Sequence, residues 1–259
     1  MRILITALIA LAVGCITAGI LLFAVNRKIA PLNRDYALKE LIVSANAVTK
    51  HVDNLSEQLL SQLSGFCSIV ADDRDFAMKL IVEQDYSAQE VTDIAGKYIR
   101  AMGFDFLEVT DKKYRILSSG HFPASAGNKA TGKSMLPDKA ATFIDDNVKG
   151  TEVLALQAKI PFTCADVPLY AIGGINVNAA FLAELRPHDG VRILLKQGNE
   201  IAGMDDIETM SEIKDNTIII NDKTLLATSL TLSWAGEGDK PEIILLMEQP
   251  ADFSILDLI

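Results

Sequence analysis

The side chains best able to do chemistry are scattered, and no set of them forms a catalytic group. His121, in Ser119-Gly120-His121-Phe122-Pro123, is the most conspicuous polar residue. It suits either contact with a ligand at the end of a hairpin or a hydrogen bond to local backbone that fixes a loop. His51 and His188 lie far from it in sequence, and none of the three has the carboxylate spacing typical of a metal site. Neither a metal nor a cofactor is expected. No Gly-x-Ser-x-Gly nucleophile elbow occurs. Gly173-Gly174 lacks the flanks of a phosphate-binding glycine loop. Asp145-Asp146 and Asp205-Asp206 read as solvated acidic pairs rather than as a general acid and its base. With no catalytic residue to assign, the chain is not expected to be an enzyme over the residues present. Binding chemistry remains. Lys129 and Lys133, in the small-residue stretch 120–136, are either solvated cations or partners for an anionic ligand. Tyr114, Tyr170 and Asn176 join them and His121, by position, as candidates to line a pocket between a sheet and that stretch.

The elements that must position these residues follow from pattern. Residues 104–119 predict a hairpin: a strand over 104–109, a turn at Thr110-Asp111-Lys112-Lys113, and a return over 114–119. Pro31 and Asn33 predict a break, after which a helix over 34–71 carries Leu38, Leu41, Ala45, Val48, Val52, Leu55, Leu59, Leu63, Phe66 and Val70. That three-and-four spacing suits a dimerising coiled coil or a helix lying across its own domain. A short helix is predicted over 76–83. Ser87 and Glu90 match a capping box before the apolar face Val91, Ile94, Ala95, Tyr98, Ile99 and Met102, with Gly103 closing the helix. Pro137 predicts the start of a helix over 138–148, closed by Gly150. Two long strands follow, 151–163 and 169–177, and Gly173-Gly174 in the second implies a bulge or a close approach. Asn178 caps a helix that ends before Pro187. Further strands are predicted over 191–196, 201–204, 217–221, 225–235 and 242–248, with Trp234 as packing.

Bulk composition narrows the partners. The chain has 259 residues, 49% of them hydrophobic, and a net charge of −10, which argues against nucleic acid because phosphate contacts need clustered Lys and Arg. Residues 3–25 contain no charge and at 1.5 Å per residue span roughly 34 Å, enough for a ~30 Å hydrocarbon core. The run is too long for a signal-peptide core, and it stays apolar past Cys15, unlike a lipoprotein signal. It is read as a retained membrane anchor. Arg27, Lys28 and Arg34 outnumber Arg2, so the flanking charge taken alone places the following domain on the cytoplasmic side. Cys67 and Cys164 are either one disulfide or, as favoured here, two buried thiols.

The order of elements resembles the extracytoplasmic Cache (PAS-like) sensing domains of bacterial transmembrane receptors, sensor histidine kinases among them. The resemblance rests on Leu107-Glu108-Val109-Thr110-Asp111 through Ser119-Gly120-His121-Phe122-Pro123, and on strand, double glycine and helix across 169–185; it covers roughly residues 34–259. It implies an α+β fold. Residues 1–28 would be a transmembrane anchor, 34–71 a signalling helix, 72–188 a membrane-distal PAS-like module and 189–250 a smaller membrane-proximal β module. Residues 251–259 would begin a helix leading towards a second membrane segment, with a kinase core expected beyond. The resemblance also implies an inner-membrane protein, homodimeric, with its soluble domain in the periplasm, sensing a small-molecule ligand. The amino-acid-binding signature of such domains is not recognisable. An anchored protein-interaction domain without signalling output is the alternative.

Overall fold

The computed structural model describes residues 2–148, 151–204 and 206–249; within the first helix, side chains are described from residue 31 onward and at residues 14, 17 and 19. The span 3–25 therefore lies almost wholly outside the described side chains, and 251–259 lies outside the described residues altogether. Among the described residues no helix is long and apolar enough to cross a membrane.

Helix α1 runs unbroken over Arg2–Asp72, through Pro31. The expected break at Pro31 is absent. A proline removes one backbone donor and crowds one carbonyl, a cost of roughly 3 kcal/mol. The residues beyond it offset this by packing. Ala37, Leu41, Ala45, Val48, Val52, Leu59, Leu63, Phe66 and Val70 are all buried within the chain itself. The apolar seam thus lies against its own sheets and is not a free coiled-coil face. Its first half joins one core, its second half another.

After α1 come α2 (Arg74–Ala77), a π-helical turn (Met78–Glu83), α3 (Gln89–Thr92) and α4 (Ile94–Tyr98). Asp73 caps α2 by accepting from the Phe76 amide at 2.9 Å. The predicted Ser87–Glu90 capping box does not form: Ala88 stands at the cap and the Ser87 hydroxyl donates to Asp85 instead. Gly103, at φ +71, supplies the left-handed closure expected of it.

The first sheet contains β1 (Phe106–Asp111), β2 (Ile116–Ser119), β3 (Ala141–Val148), β4 (Thr151–Cys164) and β5 (Val167–Asn176), in the order β2-β1-β5-β4-β3. All neighbours are antiparallel. The β1–β2 turn is held by Asp111, whose Oδ1 accepts from the amides of Lys113 and Arg115. Residues 141–148 are strand where sequence predicts helix. The strand pairs along its whole length with β4, and its alternation puts Phe143 in one core and Ile144 in another. Cross-strand burial on both faces overrides the helix-start signal of Pro137, and Thr142, Phe143, Ile144 and Val148 suit a strand.

Helix α5 (Ala179–Glu184) follows, capped by Asn178, which accepts from the Ala180 and Phe181 amides. The second sheet contains β6 (Val191–Gln197), β7 (Glu200–Ala202), β8 (Thr217–Ile220), β9 (Lys223–Thr231) and β10 (Glu242–Glu248), in the order β7-β6-β10-β9-β8. Trp234 lies past the end of β9 rather than inside a strand. Its segment joins the two sheets: the Phe143 amide donates to the Ser233 carbonyl and the Ala235 amide to the Phe143 carbonyl, both at 3.0 Å. Cys67 and Cys164 are free and buried, and burial pushes the Cys67 thiol up to about 12.

Candidate functional site

One face of the first sheet packs on α1–α4; the other carries an unusual density of buried polar groups. Strand alternation fixes this. In β1, Leu107 and Val109 enter the helical core, so Phe106, Glu108 and Thr110 face the opposite way. Register pairs Glu108 with Ile172 of β5, and Gln157 of β4 with both Gly174 and Thr142. Glu108, Thr110, Ser119, Thr142, Gln157 and Lys159 are all buried there, with Lys133 reaching in from the 120–136 segment. That segment crosses this face and, with β3 and residues 236–238, lines a half-open cavity of about 810 Å³.

Two polar groupings form the cavity wall. Lys133 Nζ lies 2.6 Å from Asp146 Oδ2 and donates at 2.6 Å to Gln157 Oε1, while Gln157 Nε2 donates at 2.6 Å to the same Asp146 oxygen. Burial raises the Asp146 carboxyl, but the Lys133 charge and the hydrogen bonds from Lys133 and Gln157 outweigh it and hold the group below the ordinary carboxylate range. The second grouping is Glu108 with His121, Oε1 to Nε2 at 3.6 Å. His121 also lies edge-on to Phe106 and within 3.3 Å of the Ser119 hydroxyl. Burial pushes the Glu108 carboxyl up to about 7; Lys133 pulls it down, Asp146 pushes it up, and the Ser119 hydroxyl pulls it down. Glu108 Oε2 is screened from bulk water and has no hydrogen-bond partner among the described residues.

The structure places the six candidates from sequence in three locations. His121, Lys129 and Lys133 line the cavity. Lys133 is a poor partner for an anion, because Asp146 offsets its charge and Asp146 and Gln157 take two of its three donors. Tyr114 and Tyr170 stack face to face, 5.2 Å between centroids and 2° between planes, beside Lys159, whose Nζ donates to the Tyr114 hydroxyl at 3.0 Å and pairs with Asp138. Asn176 lies elsewhere, beside a separate depression between the sheets, and its amide donates to Asp105.

Sequence reasoning missed Glu108, Asp146 and Gln157. The Asp145-Asp146 pair was expected on a solvated surface; Asp145 is exposed, but Asp146 turns inward because alternate strand residues face opposite ways. For Glu108 a signal existed: strand alternation puts it on the face of Phe106, in a strand paired on both sides.

No known family profile matches the chain, and no curated protein matches it either. Solved structures do. The sensor domain of the Vibrio cholerae histidine kinase DctB superposes with a TM-score of 0.55 at 7% identity, over 84% of this chain and 99% of that one. The sensory domain of the Campylobacter jejuni chemoreceptor Tlp3 gives 0.51 at 12% identity, over 85% and 96%. The periplasmic domain of Vibrio cholerae LuxQ gives 0.50 at 12% identity, over 81% and 99%. The long helix followed by two five-stranded antiparallel sheets is the α+β, Cache-like double module expected from sequence, and its fold is that of extracytoplasmic sensor domains.

Proposed function

We propose that the chain is the extracytoplasmic ligand-sensing part of a membrane-bound signalling receptor, of the two-component histidine kinase type. Residues 3–25 would anchor it, and the domain would pass a ligand-induced shift through α1. The observation that carries this is the covered face of the first sheet. Buried polar groups are costly unless they serve packing or recognition. Here Glu108 and Lys133, with the largely covered Asp146, line a half-open cavity, and one buried Glu108 oxygen has no partner among the described residues. A volume of about 810 Å³ is in the range that holds a small molecule. The sensor fold supports the reading.

The test is a thermal-shift screen of small metabolites against the full chain in detergent and against Thr131→Trp, which places an indole in the cavity from an exposed loop position. Compounds that raise the Tm of the wild type and not of the filled variant support sensing. Identical responses from both proteins overturn it. Fusion of alkaline phosphatase after Glu248 tests the side of the membrane: an active fusion is expected, and an inactive one would put the domain in the cytoplasm, as the flanking charges suggest.

A further inference from the structure

The charge around the cavity is lopsided. Glu108, Asp145, Asp146, Glu152 and Glu237 line it, against Lys129, Lys133 and His121. Lys133 is the buried cation and is committed to Asp146. What remains for a ligand to meet is mainly carboxylate. Asp145, Glu152 and Glu237 are exposed at the rim, while Glu108 is 6% exposed with one oxygen unpartnered. Ile116, Phe122, Met135 and Ile144 supply an apolar wall between. A metal ion is a poor fit, since no group of three potential ligands occurs among the described residues. An anion would cross an acidic rim and find its buried cation already paired.

We propose that the cavity takes a small aliphatic amine, a cation whose ammonium N–H groups donate to the buried, unpartnered oxygen of Glu108 while its methylene stem lies along the apolar wall. The proposal rests on the ligand-sensing reading above and names the ligand chemistry of that same site. A charge-assisted bond to a screened carboxylate is among the stronger polar contacts a site can offer. Binding also has a proton signature. His121 from the end of β2, Lys133 from the crossing loop and Asp146 from β3 are the charged groups facing Glu108, and burial leaves its carboxyl titrating at about 7. An ammonium selects the ionised form. The amine therefore displaces a proton at and below pH 7, and its affinity falls about tenfold from pH 8 to pH 6.

Calorimetric titration and thermal shift of the full chain with 1,4-diaminobutane, butyrate and 1-butanol decide the matter. The expected result is binding of the diamine alone, with net proton release that changes the apparent enthalpy between buffers of different ionisation heat. Glu108→Gln should weaken binding by about thirtyfold or more and abolish its pH dependence. Lys129→Ala should bind the diamine at least as well as wild type. Binding of butyrate that depends on Lys129 overturns the amine proposal and leaves the ligand cavity standing. Diamine binding unaffected by Glu108→Gln also overturns it. If none of the three compounds binds, the amine proposal falls; if Thr131→Trp also matches wild type across the metabolite screen, the sensing reading falls with it.

Discussion

Glu108 is a group the fold holds in an environment unfavourable to its charge. Its carboxyl titrates at about 7 rather than 4.5, chiefly because of burial. The folded state therefore binds a proton between those values that the unfolded state releases. Stability contributed by the protonated form is complete below about pH 4.5 and is lost as pH rises through about 7, by at most about 3 kcal/mol. Glu108→Gln keeps the shape without the charge. It is expected to raise Tm at pH 8, leave it nearly unchanged at pH 4.5, and flatten the profile between, as scanning calorimetry would show. A variant no more stable than wild type at pH 8 would mean that the carboxylate is well solvated. Lys133 makes the opposite case. Lys133→Met leaves Asp146 buried beside Gln157 without a counter-charge and is expected to cost about 3–5 kcal/mol in urea unfolding. Adding Asp146→Leu should recover most of that loss. In the wild type, the Asp146 contribution persists at neutral pH and disappears as pH falls through its lowered pKa, because the folded carboxylate resists the proton more than the unfolded one.

Among the elements, β5 is the one with least room. A Cβ on Gly174 would sit 2.5 Å from Gln157 Cγ and 2.8 Å from the Leu156 carbonyl oxygen; one on Gly173 would sit 2.9 Å from Leu63 Cδ1 of α1. Gly174→Ala is expected to lower stability by about 1–3 kcal/mol through overpacking. It should also disturb the Lys133–Asp146–Gln157 group, visible as a changed pH profile in the acid range. Denaturant unfolding indistinguishable from wild type would mean that the strands have slack. The double glycine was readable as a close approach, and the α1 stripe was readable residue by residue, because both depend on local spacing. The cavity was not readable. Its two key acids depend on β3 and β1 lying in the same sheet, and the segment leading into β3 carries a local pattern, Pro137 followed by Asp138 and two alanines, that favours a helix start. Once 138–148 is taken as helix, Asp146 has no register with Gln157 and Lys133 has no partner. His121 was found because its loop is conspicuous. Glu108 was overlooked because one carboxylate in an alternating strand looks like ordinary surface polarity until both neighbouring strands are known.

At the scale of the molecule, the two sheets share one core and one backbone seam. Val48 and Val52 of α1 pack in the same cluster as Phe143 of the first sheet and Val191, Leu226 and Leu245 of the second. Ala235→Pro would remove the amide that donates to the Phe143 carbonyl and leave that buried residue's oxygen without its backbone partner, an expected cost of about 1–3 kcal/mol. If the seam couples the sheets, hydrogen exchange should quicken in both β3 and the 233–235 segment; faster exchange on one side alone would mean the sheets are held together by α1 only. Helix α1 itself gives the molecule a mechanical axis. The rise from Leu63, which abuts Gly173 beneath the cavity, to Leu41 in the second core is about 33 Å. A helix resists stretching far better than side-chain contacts resist sliding. A nudge along the axis at Leu63 therefore arrives at Leu41 almost undiminished, while a tilt about Leu63 is magnified, by about 0.6 Å per degree over that length. The same rod is at once piston and lever, and the second sheet is the bearing in which it moves.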